Sequence, residues 1–163
     1  MGAGKTTVGQ LLAARVGYPF VDLDRAIESR SGLSIRELFR TKGEAAFRGE
    51  EREAAREALA ASPLVLAAGG GAFADPETRG VLQQGATTVW LRCALTALAA
   101  RVPLDGSRPL ATNHETIVRL LAEREPSYRL ADLTVDTTHQ GPAEVTRSIE
   151  EALFGPGEAA EGT

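Results

Sequence analysis

The chain opens Met1-Gly2-Ala3-Gly4-Lys5-Thr6-Thr7, and Gly4-Lys5-Thr6 closes a phosphate-binding loop of the form G-x-x-x-x-G-K-[ST]. Glycines let the backbone turn tightly, so that successive N–H groups can point at phosphate oxygens. The Lys5 ammonium suits the β- and γ-phosphates, and the Thr6 hydroxyl suits Mg²⁺. A helix starting at Lys5 aims its positive end at the same anion. Residues 7–16 continue as that helix, with Val8, Leu11, Leu12 and Val16 on one side and Gly17 as its stop. Loop followed by helix is the context the motif requires. The alternative is a flexible Gly/Ala terminus capped by Thr6. The motif's first glycine would fall ahead of Met1, as would the strand that normally feeds such a loop. The protein in the cell is therefore expected to begin about ten residues earlier, with an apolar run of five or six residues ending in Gly-x-Met.

The 163 residues suit one domain with a real core, expected over 1–154, followed by a disordered Gly/Glu/Ala tail at 155–163. A net charge of −4 speaks against a general nucleic-acid or membrane-surface binder. Cys93 is the only cysteine, which excludes an intrachain disulfide and a cysteine metal cluster. No apolar run reaches the ~18 residues of a membrane span, and no secretory leader is read. A cytoplasmic, monomeric enzyme is expected. Only Lys5 and Lys42 are lysines among 18 basic residues, so a lone arginine carries little weight by itself.

Short apolar runs at 18–24, 64–68, 87–91 and 133–136 read as buried strands. Between them lie helices at about 25–31, from the Ser34–Glu37 capping box, at 42–61, after Asp75-Pro76, at 94–101, at 115–124 with Pro126 as its breaker, and at 142–154. Residues 102–113, with two prolines and a glycine, read as a lid loop. Strands separated by helices mean an α/β fold with a parallel sheet, whose ligands bind at the C-terminal strand ends.

At that edge sit Asp22 and Asp24, two apart on a predicted strand and able to face one way. One acid near a metal and one near an acceptor hydroxyl suit phosphoryl transfer; Asp24 as a helix cap is the other reading. Gly69-Gly70-Gly71 permits close backbone approach to a ligand, or is a plain turn. Arg48, taken alone on a Glu-rich helix, reads as a solvated or ion-paired arginine. Arg108 and Arg101 could close over phosphate from the loop, or decorate a surface. His114 and His139 read as surface residues and Cys93 as core.

Taken together, Gly-Ala-Gly-Lys-Thr-Thr, Asp22-x-Asp24, Gly43-Glu44-x-x-Phe47-Arg48-x-x-Glu51, Gly69-Gly70-Gly71, Arg108-Pro109-Leu110 and Tyr128-Arg129 resemble the shikimate kinase family in order and spacing over about residues 1–142. The resemblance implies a three-layer P-loop kinase with sheet order 2-3-1-4-5, whose first and central strand is absent from this sequence. It implies MgATP-dependent phosphorylation of the 3-hydroxyl of shikimate, in chorismate and aromatic amino-acid biosynthesis. By position, Gly2, Ala3, Gly4, Lys5, Thr6 and Thr7 would hold the phosphates, and Thr6 and Asp22 the metal. Lys5, Asp24 and Arg108 would be catalytic, Asp24 by orienting or deprotonating the acceptor. Arg48 and Arg129 would pair with the shikimate carboxylate. The glycines Gly69, Gly70 and Gly71 would line the same pocket. Arg101, Arg108, Gln140 and Pro142 would flank the nucleotide. The absent strand would leave a gap between the runs at 64–68 and 87–91, and the chain as given is expected to fold poorly or to be nearly inactive. A gluconate-type or nucleotide kinase and an inactive nucleotide-fold remnant are the competing readings.

Overall fold

Gly4 adopts the left-handed conformation (φ 81°) and caps helix α1 (Lys5–Val16), whose other end closes on left-handed Gly17. No side chain caps the start of α1, so its first N–H groups are not satisfied by a cap side chain. The computed structural model describes residues 3–94, residue 98 and residues 114–155. All of the expected helix at 94–101 except Ala94 and Leu98, the lid loop with Arg101 and Arg108, Gly2, and all but Gly155 of the tail lie outside those residues.

After α1 the chain runs β1 (Phe20–Asp22), α2 (Leu23–Ser31), α3 (Ile35–Ala60), β2 (Val65–Ala67), α4 (Gly70–Ala74), α5 (Pro76–Gly85), β3 (Val89–Arg92), α6 (His114–Tyr128), β4 (Leu133–Asp136) and α7 (Pro142–Phe154). The fold class is α/β with parallel strands, as expected. β1 pairs with β2 in register Phe20 to Val65, and β3 pairs with β4 in register Val89 to Leu133. Among the described residues these are two separate two-stranded sheets, with no ladder between β2 and β3.

Local sequence signals account for most boundaries. The Ser34 hydroxyl accepts from the Glu37 N–H while the Glu37 carboxylate accepts from the Ser34 N–H, the reciprocal pair that opens α3. Gly43 (φ 79°, ψ 175°) kinks α3, so the long helix is two segments meeting at a residue able to take that backbone. Asp75 accepts from the N–H and hydroxyl of Thr78, each at 2.8 Å, and Pro76 fills the first position of α5.

Three expectations need correction. The strand at 18–24 stops at Asp22, because Asp22 Oδ1 accepts from the N–H groups of Asp24 (3.1 Å) and Arg25 (3.4 Å) and starts α2 there. Asp22 is therefore the cap, and Asp24 lies in the first helical turn. Pro126 does not end α6, which runs on to Tyr128. Proline forfeits one backbone hydrogen bond and adds a clash, but the last turn is anchored by Tyr128, whose ring sits 5.8 Å from that of Trp90 and whose hydroxyl donates to the Gly70 carbonyl. Finally, Leu11 is not on the buried side of α1. It is exposed, while Val8, Leu12 and Ala13 point inward.

Two apolar clusters flank the sheets. One gathers Leu23, Ile27, Leu38, Phe47, Ala72 and Leu82 from α2 to α5. The other gathers Val8, Leu12, Val135, Val145 and Ile149 from α1, β4 and α7. Cys93 is buried, as expected of a core residue. No helix among the described residues is long and apolar enough to cross a membrane.

Candidate active site

The P-loop side is built by α1 and the end of β1. Thr6 Oγ1 donates to Asp22 Oδ2 at 3.2 Å, which joins the two residues expected at the metal. A hydroxyl beside a carboxylate suits Mg²⁺, which takes one or two carboxylates and keeps several waters. Among the described residues no cluster of three His, Cys, Asp or Glu offers an all-protein metal cage.

The acceptor side is built around the three glycines that open α4, Gly69 as its N-cap and Gly70 and Gly71 in its first turn. Each glycine meets a different side chain. A Cβ on Gly69 would stand 3.4 Å from Asp24 Oδ1. One on Gly70 would collide with the Tyr128 hydroxyl and lie 3.9 Å from Arg124 Nη1. One on Gly71 would stand 3.0 Å from both terminal nitrogens of Arg48. The triplet is thus a close-packed floor on which Asp24, Tyr128 and Arg48 converge, more than a plain turn.

Arg48 is held firmly. Its Nη1 donates to Glu51 at 2.6 Å and its Nη2 to Glu44 at 3.2 Å, and its guanidinium lies 5.1 Å from the Phe47 ring centroid. Its side chain is 15% exposed and that of Glu51 only 2%, so Arg48 is not solvated but is ion-paired on its own helix. Burial works against the Arg48 charge, but Glu51 and Glu44 outweigh it and hold the guanidinium above its ordinary value. Burial pushes the Glu51 carboxyl up against the pull of Arg48, and Asp24 and Asp75 add to the rise. Burial also pushes the Tyr128 phenol up, with Arg124 opposing.

A family model described as shikimate kinase matches residues 1–154. The chain belongs to the shikimate kinase family. The shikimate kinase of Moorella thermoacetica is 43% identical over 155 residues, covering 94% of this chain and 90% of the relative. That of Thermobifida fusca is 43% identical over 160 residues, covering 96% and 92%. Among solved structures, a shikimate kinase from Acinetobacter baumannii in complex with shikimate superposes with a TM-score of 0.88 at 35% identity, covering 93% of this chain and 87% of that one. The enzyme of Aquifex aeolicus gives 0.80 at 34%, covering 95% and 92%.

Other site residues expected for a shikimate kinase are less gathered. Arg129 is 70% exposed and donates to Glu125 at 2.8 Å, so the structure does not bring it to Arg48. Arg124, five residues earlier on α6, is the arginine that reaches the glycines, where a Cβ on Gly70 would lie 3.9 Å from its Nη1. Gln140 is exposed just before α7, and Pro142 is the first residue of that helix. Sequence reading gave no role to Glu51, Tyr128 or Arg124. The three-residue spacing of Arg48 and Glu51 was visible, but their shared burial was not.

Proposed function

We propose that this chain transfers the γ-phosphoryl group of ATP to the 3-hydroxyl of shikimate, in chorismate and aromatic amino-acid biosynthesis. Membership of the shikimate kinase family carries ATP-dependent phosphotransferase chemistry with Mg²⁺. The observation that supports the acceptor is the convergence of Asp24, Tyr128 and Arg48 on the three glycines, beside the Thr6–Asp22 contact. A carboxylate for a hydroxyl and a fixed guanidinium for an anion suit a polyhydroxylated carboxylic acid.

In this reading Gly2, Ala3, Gly4, Lys5, Thr6 and Thr7 cradle the phosphates, and Thr6 and Asp22 hold the metal. When bound, Mg²⁺ neutralises charge on the phosphates. Asp24 orients the acceptor hydroxyl and takes its proton. Arg48, with Arg129 turned inward, pairs with the shikimate carboxylate, and Gly69, Gly70 and Gly71 let the ring lie against backbone. Arg108 meets the charge of the transferring group from the loop at 102–113. Arg101, Gln140 and Pro142 flank the adenine. The enzyme acts as a monomer in the cytoplasm, where its biosynthetic role belongs.

The test is ADP release coupled to a spectroscopic readout, with shikimate, gluconate and nucleoside monophosphates offered separately. Turnover with shikimate alone is expected. Turnover with gluconate or a nucleotide in its place would give the site to another acceptor.

A further inference from the structure

The floor of the acceptor site is made of glycines, so only backbone atoms are available to hold it in place. Two of its hydrogen bonds come from the same stretch of chain. The Ala72 N–H donates to the Gly69 carbonyl at 3.1 Å, and the Asp75 N–H donates to the Gly71 carbonyl at 3.0 Å. A five-residue helix such as α4 is too short to be stable by itself. Arg79 clamps its far end, where Nη1 donates to the carbonyls of Phe73 at 3.1 Å and Ala74 at 3.3 Å. The Gly70 carbonyl is held from elsewhere. It accepts from the Tyr128 hydroxyl at 3.1 Å, on a residue 58 positions away at the end of α6.

Tyr128 is itself locked. Its ring lies 5.8 Å from that of Trp90 on β3, tilted by 42°. Burial pushes the phenol above its ordinary value, while Arg124 opposes through its charge and a hydrogen bond. The hydroxyl is thus a neutral donor at physiological pH. A guanidinium has donors only, so Arg124 donates to the phenol oxygen and the single phenolic proton goes to Gly70. Arg124, Tyr128 and the Gly70 carbonyl form a series with one direction, in which each hydrogen bond polarises the next. Space is equally specified. A Cβ on Gly70 would collide with the Tyr128 oxygen but stand 3.4 Å from the ring carbon that bears it. The hydroxyl therefore fills the place that a side chain would take. Gly69 lies against Asp24 and Gly71 against Arg48, so movement of Gly70 moves the backbone on which both groups rest.

We propose that Tyr128 is a positioning residue of the acceptor site. Its hydroxyl holds the Gly70 carbonyl and thereby fixes the glycine floor between Asp24 and Arg48, without touching the acceptor. The ring supplies packing through Trp90, and the hydroxyl supplies geometry. The proposal rests on the phosphotransferase reading of this site, but on no particular acceptor.

Tyr128→Phe keeps the ring on Trp90 and deletes only the hydroxyl. Ser34→Ala, which removes the cap of α3, is the control for lost stability alone. Gly70→Ala and the double variant complete the set. KM is measured for ATP and for shikimate, gluconate and nucleoside monophosphates offered separately, and amide exchange in α4 is read without ligand. Tyr128→Phe should raise the acceptor KM about three- to tenfold, the worth of one hydrogen bond, and leave the ATP KM unchanged. It should also speed exchange in α4 by about tenfold. Ser34→Ala should do neither. Gly70→Ala should raise the acceptor KM as well. Added to Tyr128→Phe it should change little further, because its methyl then finds the place of the hydroxyl empty.

An unchanged acceptor KM in Tyr128→Phe, equal rises in both KM values, or unaltered exchange in α4 would overturn the proposal. Additive effects of the two substitutions would overturn it too, since the methyl would then act on the acceptor directly. If Tyr128→Phe does not fold, Gly70→Ala carries the comparison, because it displaces the hydroxyl and leaves the ring in place. A raised acceptor KM with faster α4 exchange then upholds the proposal, and the absence of either overturns it. A parent chain that prefers gluconate or a nucleotide defeats the shikimate reading alone, and the variants are then compared on that acceptor. A parent that turns over none of these acceptors is titrated with shikimate and followed by the emission of Trp90, the single tryptophan. Weakening of that binding by about threefold or more in Tyr128→Phe upholds the proposal, and no binding by the parent up to about 10 mM overturns it.

Discussion

Arg48 makes its ion pairs with two carboxylates on its own helix, at Glu51 and Glu44, while its guanidinium leans on the backbone at Gly71. Its planar fork can serve a partner on one side and an incoming carboxylate on the other, which an ammonium cannot reproduce. Arg48→Lys should therefore raise the shikimate KM by about tenfold or more, equivalent to ~1.4 kcal/mol, with the ATP KM nearly unchanged. Equal changes in both constants would remove Arg48 from the acceptor site. Gly71→Ala tests the same contact from the floor. Its methyl would press on Arg48 at 3.0 Å, so the shikimate KM should rise a few-fold while far-UV circular dichroism stays unchanged. A variant with native KM would show that the guanidinium gives way freely. The positions of these residues were legible from the motif spacing, but their environment was not. Glu51 is buried on α3, against which α2 and α5 pack, and no local pattern records that packing.

Helix ends were the most legible elements, because a cap is chemistry among neighbours in sequence. Ser34 with Glu37, Asp75 with Pro76, and Gly17 all stand where their residue types place them. Ser34→Ala should remove one half of the capping box and cost about 1 kcal/mol in urea denaturation. No loss would mean that water or a shifted helix start satisfies the same N–H groups. One misread end was decided by a distant contact: Tyr128 docks on Gly70 and carries α6 past Pro126. The other was decided locally, where the Asp22 carboxylate caps α2 and starts it two residues early. The end of β4 combines both kinds of contact. Asp136 accepts from the N–H of Thr138 at 2.8 Å and pairs with Arg92 on β3 at 2.9 Å. The Thr138 backbone hydrogen bond foremost, then its side chain and Arg92, bring the Asp136 pKa from 3.8 down to about 2. A depressed carboxylate contributes stability above its unfolded value, and that contribution is lost as pH falls through the folded value. Asp136→Asn should therefore lower Tm near neutral pH, and the difference from the parent should close between pH 3.8 and about 2. A difference that persists unchanged into that acid range would assign the effect to packing instead of charge.

At the scale of the whole molecule, the described sheets and their helices form two bodies of core. Among the described residues, β2 and β3 share no ladder, and each pairs with a strand on its other side. What the sequence did not reveal is how separately the two clusters are then built. Ile27 is fully buried among α2, α3 and α4 contacts, and Ile149 is 2% exposed among α1, β4 and α7. The clusters share no buried member. Communication between them runs through α1, which packs on β2 as well as on α7. Ile27→Val and Ile149→Val each delete one buried methylene and should each cost ~0.5–1.5 kcal/mol. Sites without shared partners add to within about 0.5 kcal/mol, so the double variant should lose the sum of the two single losses in urea denaturation. Trp90 on β3 and far-UV circular dichroism should both be followed, since a molecule that melts in two steps would give different midpoints by the two probes. A coupling well above 0.5 kcal/mol, with coincident midpoints, would show that α1 and the strands already weld the two clusters into a single cooperative core.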